Sequence, residues 1–176
     1  MIERLAITVS IAVVAAVSAP TPASAGQSPP AGPVVVVDST GKVAARPLND
    51  TLMLVSVDGI AAPASIRPVY GADGRAASGT ATWNSGGSVL FTSSDCSTGA
   101  HIFSPGTAGL RATAQVQTPD GIVLFVGAIG TTTTVAVRSI LYGSGCSPVS
   151  VQQNGLVAVE ASVNLTTAYP PPLSFQ

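Results

Sequence analysis

The sequence predicts an antiparallel all-β fold, either a β-sandwich or a small barrel, built from hairpins. Valine, threonine, serine, alanine and glycine dominate the composition, and these residues are common in strands and tight turns. Turn dipeptides divide the chain at fairly even intervals, and apolar residues between them alternate with the period of two that is typical of strands. Helical periodicity is absent after the N-terminal segment.

The N-terminal residues predict export. Residues 5–17 form an apolar run of the length expected for the helical core of a signal peptide, and Ala23-Ser24-Ala25 is a small-residue cleavage site. The alternative is a membrane anchor, but the run is shorter than the roughly 20 residues that a spanning helix needs. We therefore expect a signal peptide at residues 1–25 and a flexible Gly/Pro leader at residues 26–33. The alanine-rich signal is typical of a bacterial protein, which would be secreted or periplasmic with no transmembrane anchor after signal removal.

The charge pattern excludes several partners. Only 9% of the chain is charged, and the formal net charge is −1. Lys42 is the sole lysine, and the arginines are scattered along the sequence. Because no basic face is visible, nucleic acid and anionic membranes are not expected partners.

Asp-Gly and Asn-Gly dipeptides predict two-residue hairpins, since both central positions of a type I′ turn need positive φ. We expect Asp58-Gly59 to join a strand at residues 52–57 to one that begins at Ile60. Asn154-Gly155 should likewise join a strand at residues 149–152 to one at residues 156–165. Further turn signals are Asp73-Gly74, Ser85-Gly86-Gly87 and Pro119-Asp120-Gly121.

Alternation also predicts which strand faces are buried. Thr113 and Gln115 fall on the polar side of a segment at residues 107–116, while Ala114 and Val116 fall on the apolar side. This pattern is typical of a half-buried strand rather than a helix.

Two later segments help to define the domain. Residues 122–126 are apolar without alternation, which predicts a central strand covered on both faces, whereas residues 157–165 alternate and should form a half-exposed strand. We expect a single all-β domain at residues 34–168. The Pro-rich tail at residues 169–176 should run as polyproline II because proline cannot continue a central strand.

Cys96 and Cys146 are the residues most able to carry covalent chemistry. An exported chain with an even cysteine count favours a disulfide, which would stabilise the fold by roughly 4 kcal/mol on the chain-entropy model. The alternative is a Cys96 nucleophile activated by His101, the only histidine. Two cysteines so far apart with one histidine match no zinc spacing, so we expect no metal and no cofactor.

The acidic residues do not form an evident catalytic or metal-binding set. Asp38-Ser-Thr-Gly41 and Gly71-Ala-Asp-Gly74 each offer one carboxylate, whereas calcium needs six to eight oxygen ligands. We therefore expect Asx turns in both stretches. Asp95 and Asp120 could form a glycosidase pair only by assumption, and the sequence predicts a protein without enzymatic activity.

Aromatic residues are sparse, and Trp83 and Tyr70 are the candidates for binding a ligand. Carbohydrate-binding modules display aromatic platforms, which these two could supply beside glycine-rich turns. By alternation Trp83 shares a face with Ala81, and this placement favours a core position for the indole.

Three short motifs carry a resemblance to a known group. The Val-x-Asp-x-x-Gly pattern occurs at residues 36–41, an Asp-Cys-Ser-Gly-like turn at residues 95–99, and a Gly-x-Cys-like setting at Gly145-Cys146, before a Pro-rich apolar end. With these motifs, residues 34–175 resemble small exported bacterial all-β proteins of unknown function. This chain departs from the group by Ala44-Ala45 in place of a Val-Gly pair and by a threonine inserted before Gly99. The resemblance implies the fold and export, and it implies no activity.

These observations lead to three hypotheses about function. The first is an exported, disulfide-stabilised β-domain that serves as a structural or interaction protein, with another protein chain or a cell-surface glycan as its partner. The second is a carbohydrate- or small-ligand-binding module that uses Trp83 and Tyr70. The third is a thiol enzyme that uses Cys96 and His101.

Overall fold

The computed structural model describes residues 34–105, 109–143 and 145–176. The predicted signal helix at residues 1–25 and the leader at residues 26–33 lie outside the described residues. Within the described part the chain forms twelve strands and one four-residue helix, and the sheets are antiparallel, which confirms the all-β class.

Six strands close into a barrel. They are β1 (Val36–Val37), β2 (Val43–Pro47), β3 (Leu52–Val57), β4 (Ile60–Tyr70), β5 (Ala76–Trp83) and β12 (Leu173–Phe175). Their order around the barrel is β1–β12–β5–β4–β3–β2. Closure gives each of these strands a neighbour on both sides, so the barrel has no sheet edge of its own.

The other six strands form a second sheet. They are β6 (Ser88–Phe91), β7 (Ala100–Phe103), β8 (Thr113–Thr118), β9 (Gly121–Gly127), β10 (Thr133–Tyr142) and β11 (Gly145–Asn164), and β11 leads into helix α1 (Leu165–Ala168). Their order is β10–β6–β7–β11–β9–β8, and β10 also pairs directly with β11. The small-barrel alternative is therefore confirmed for six of the strands, whereas the further six-stranded sheet was not predicted.

Strand β9 lies between two hydrophobic cores. Leu124 and Val126 are fully buried in the core that also holds barrel residues such as Met53, and Phe125 packs against a second core around Ile102. The predicted central position of β9 is confirmed, but only the face of Leu124 and Val126 is buried, because Val123 and Phe125 on the other face are half-exposed.

The Asp58-Gly59 hairpin is also confirmed. Val57 pairs with Ile60, and the two residues between them have φ values of 50° and 81°. Both central positions are thus in the left-handed region, as a two-residue primed turn requires.

The Asn154-Gly155 hairpin prediction is wrong, because β11 runs through this dipeptide without turning. On the partner strand, Thr133 pairs with Leu156 and Val135 pairs with Gln153, so the register shifts by one residue there. Gly155 has a φ of 74°. A glycine with positive φ suits a β-bulge as well as a hairpin turn, and here it forms the bulge.

The expectation of polyproline II for the tail is wrong for Leu173–Phe175. Ser174 pairs with Val37 of β1 on one side and with Thr80 of β5 on the other, and Leu173 is fully buried. The prolines at positions 170–172 all precede this strand, so its residues keep the backbone N–H groups that a central strand needs.

Candidate functional site

The Cys96–Cys146 disulfide is present, as the sequence predicts, with 6.0 Å between the two Cα atoms. Cys96 lies in the loop between β6 and β7, and Cys146 is the second residue of β11, opposite Leu141 of β10. The bond therefore ties the β6–β7 loop to the start of β11. Neither sulfur is a free thiol in this state, so the Cys96 nucleophile of the third hypothesis is not available while the bond is intact.

The backbone of Cys96 is held in an unusual conformation. Its φ is 57°, in the left-handed region that costs a non-glycine residue about 1–2 kcal/mol. The Cys96 amide donates to Oγ of Ser139 at 3.0 Å, and the Ser139 hydroxyl donates to the Ser93 carbonyl at 2.6 Å. Ser139 is fully buried, so β10 fixes this loop through one hydroxyl as well as through the disulfide.

Asp95 is part of the same loop. The Ser97 hydroxyl donates to Oδ1 of Asp95 at 2.6 Å, and this hydrogen bond, followed by the contribution of Ser93, lowers the pKa of the carboxyl. A lowered pKa keeps the group ionised, which suits an acceptor in a turn better than a general acid. Asp120 belongs to a different turn, between β8 and β9.

His101 is oriented by a short local contact. Its Nδ1 lies 2.8 Å from the Gly99 carbonyl oxygen, which can only accept, so Nδ1 carries the proton. Gly99 has a φ of 67°, and a Cβ there would lie 1.9 Å from Oγ1 of Thr92. Only glycine allows the loop to return this close to the end of β6.

The two aromatic candidates lie in different surroundings. Trp83 is 0% exposed, and its Nε1 donates to the Tyr169 carbonyl at 2.9 Å, so the predicted core position is confirmed and the indole offers no face to a ligand. Tyr70, at the end of β4, is 64% exposed. The Lys42 ammonium lies over the Tyr169 ring, 4.5 Å from its centre. This cation–π contact and the Trp83 hydrogen bond to the Tyr169 carbonyl hold the chain in place just before β12.

The two predicted Asx turns are present. Oδ1 of Asp38 accepts from the Thr40 amide at 2.8 Å and from the Thr40 hydroxyl at 2.7 Å, and the hydroxyl is the largest cause of the lowered pKa of this carboxyl. Oδ1 of Asp73 accepts from the Arg75 amide at 3.1 Å. In the residues that the structure describes, no three His, Cys, Asp or Glu side chains are grouped as metal ligands.

Gln115 links the second sheet to the barrel. Its side-chain Oε1 accepts from the Ser65 amide, and its Nε2 donates to the carbonyls of Ser65 and Asn84, each at 3.0 Å. The Gln115 carbonyl accepts from the Gly86 and Gly87 amides at 3.1 and 2.9 Å. At Gln115 the polar side of β8 therefore faces the barrel rather than water, which corrects the expectation of a half-buried strand for that residue, while Gln117 on the same face is half-exposed.

A cleft of about 630 Å³ lies between the outer wall of the barrel and the second sheet. Leu54 and Ala61 line it from the barrel, and Leu110, Ala112, Ala128, Ile129 and Val157 line it from the second sheet and its loops. Ser104 and Arg111 are its polar members. Sequence reasoning did not find this site, because its lining comes from six separate stretches of the chain and no motif marks any of them.

Arg111 is held at the cleft by two contacts. Its Nη1 donates to the Gly127 carbonyl at 3.1 Å and forms an ion pair with Glu160. The Nε and Nη2 atoms of Arg111 donate no hydrogen bond to any residue that the structure describes. Within the described part of the chain, the three N–H donors of Nε and Nη2 therefore have no acceptor.

The one helix in the described ranges, α1, has four residues, and no helix there has the length and apolarity to span a membrane. Comparisons with family models, with curated proteins and with solved structures gave no match to this chain.

Proposed function

We propose that this chain is an exported, disulfide-stabilised β-domain that acts as a structural or interaction protein and not as an enzyme. The Cys96–Cys146 bond supports export, because disulfides persist mainly in oxidising compartments such as the periplasm and the cell exterior. The resemblance to small exported bacterial all-β proteins supports the same compartment. Its partner would be another protein chain, a second copy of itself, or a cell-surface glycan.

The observation that carries the interaction role is a two-stranded ribbon formed by residues 133–138 of β10 and 149–153 of β11. Val135, Ala136 and Val137 pair with Gln153, Gln152 and Val151 in turn, and in the described part of the chain no strand pairs with the outer side of either segment. Open strand edges present N–H and C=O groups that can pair with another chain. Arg138 is the only charged residue in the two segments, so little charge opposes such pairing.

A matched pair of variants tests this role. Val151 is 48% exposed on the ribbon, and Val43 is 56% exposed on the barrel. We expect Val151→Lys to weaken self-association in sedimentation velocity, or retention of the exported protein on the cell surface, by severalfold. Val43→Lys should leave both unchanged. If the wild type neither self-associates nor stays at the surface, or if the two variants behave alike, the ribbon is not an interaction edge.

Export and the absence of enzymatic activity have separate tests. Secretion of the full chain should yield a mature protein that begins at Gly26 and contains no free thiol, whereas retention in the cytoplasm with residues 1–25 intact would refute export. A panel of glycoside, ester and peptide substrates should show no turnover. Hydrolysis that is abolished by Asp95→Ala or His101→Ala would identify the chain as an enzyme instead.

Carbohydrate binding through Trp83 and Tyr70 is now supported only by Tyr70, since the indole is buried. Glycan addition should therefore leave Trp83 fluorescence unchanged. A glycan-dependent fluorescence shift that Tyr70→Ala abolishes would restore that role.

A further inference from the structure

The cleft between the barrel and the second sheet has the features of a small-ligand site. Its volume of about 630 Å³ falls within the roughly 300–1,000 Å³ that is usual for ligand pockets. Seven of its eleven lining residues carry apolar side chains, and Ser104 and Arg111 carry the polar ones. Ile129 is 81% exposed and Leu110 is 43% exposed, so a bound apolar group would remove both from water.

The polar chemistry of the cleft selects one kind of head group. Arg111 lines the cleft, and its Nε and Nη2 donate to no described residue. The Nε–Nη2 edge of a guanidinium matches the two oxygens of a carboxylate. The Ser104 hydroxyl is a further donor in the same lining.

Glu160 reduces the preference of the cleft for a carboxylate. Its carboxylate pairs with Nη1 of Arg111, and the Glu160 side chain is 32% exposed. The ion pair reduces the positive charge that a ligand carboxylate would meet, while it also holds the guanidinium at the cleft. The cleft should therefore bind a carboxylate more tightly than the corresponding alcohol, but not strongly.

We propose that this cleft binds a small amphiphile, with its apolar chain against Leu54, Ala61 and Ile129 and a single carboxylate on Nε and Nη2 of Arg111. This binding role goes beyond the proposed structural function and does not depend on it. A ligand here would contact the barrel and the second sheet at once.

Calorimetry with decanoate and decanol on the purified, oxidised protein tests the proposal. Decanoate should bind severalfold more tightly than decanol. Glu160→Gln should strengthen decanoate binding about fivefold, the equivalent of one partly exposed ion pair, and leave decanol binding unchanged. A purely structural role for the Arg111–Glu160 pair would not produce this difference between the two probes.

Two further variants test the location. Ala61→Trp should fill the cleft and weaken binding of both probes at least tenfold. Ile129→Asn should weaken both severalfold without affecting folding, because this side chain is mostly exposed. Leu48→Asn, at an exposed site 45% accessible and outside the cleft, is the matched control and should change nothing. Failure of decanoate to bind, or equal binding by Ile129→Asn and Leu48→Asn, would overturn the proposal.

Discussion

Replacement of Gln115 by methionine should weaken the junction between the barrel and the second sheet. Methionine fills a similar volume but cannot donate or accept the side-chain hydrogen bonds. The Ser65 amide and the Asn84 carbonyl then lose their Gln115 partner, while the Ser65 carbonyl keeps a hydrogen bond from the Asn84 amide at 3.0 Å. Two polar groups are therefore left without this partner.

The size of the effect follows from those two groups. A buried polar group without a partner costs about 1–3 kcal/mol. Ser65 and Asn84 are only half-buried, so water can reach them in part and the lower end of the range applies to each. We expect Gln115→Met to lower the free energy of unfolding by about 2–3 kcal/mol, which corresponds to a fall in Tm of roughly 10 °C for a domain of this size.

Urea denaturation followed by circular dichroism gives the measurement, with the m value checked for constancy. Gln117→Met is the control, since Gln117 lies on the same strand and the same face but donates only to the neighbouring Thr118 carbonyl, at 2.9 Å. Its expected cost is under about 1 kcal/mol. If both variants lose the same small amount, the Gln115 side chain does not join the two sheets.

Three other perturbations have defined outcomes. Simultaneous replacement of Cys96 and Cys146 by alanine should cost about 4 kcal/mol in urea unfolding for the 50-residue separation, and a cost below about 1 kcal/mol would show that the bond does not restrict the unfolded chain. Gly99→Ala should lower the free energy of unfolding by more than about 2 kcal/mol, because Gly99 has a positive φ and a Cβ there would meet Thr92. Gly86→Ala is the control: a Cβ at Gly86 would have open space around it, so this variant should be close to neutral in the same assay. Asp38→Asn should destabilise the protein at pH 7 but not at pH 2. The pKa of the Asp38 carboxyl is lowered in the folded state, so its ionised form stabilises the fold above the unfolded-state pKa, and this contribution is lost as the pH falls through the folded-state pKa. A difference in unfolding free energy between variant and wild type that does not change with pH would contradict the ionised turn.

Two similar turn dipeptides adopt different structures in this chain. Asp58-Gly59 forms a two-residue turn, whereas Asn154-Gly155 forms a bulge inside β11. Both dipeptides permit positive φ, and the flanking residues suit strands in both cases. The difference arises because β10 pairs with β11 on both sides of the bulge, and no local pattern contains that pairing.

Strand β8 shows that alternation alone does not predict the surroundings of a strand's polar face. Alternation correctly separates Ala114 and Val116 from Thr113 and Gln115, but it does not say what lies opposite each face. The Thr113 hydroxyl donates to the Pro63 carbonyl at 2.9 Å, and Gln115 bonds the barrel in the same way. A polar side chain is expected in water unless the fold supplies it with partners, and here the barrel does so.

The sequence by itself determined the features that depend on a few neighbouring residues or on composition. These include the all-β class, the Asp58-Gly59 turn, the buried Trp83 and, because the chain has one cysteine pair, the disulfide. Tertiary structure alone decided that β12 closes the barrel beside β1, that β5 and β6 belong to different sheets, and that a cleft opens beside Arg111. The physical reason is that turn and alternation preferences act within a few residues. The choice of strand partners depends instead on the free energy of burying faces that lie far apart in the chain.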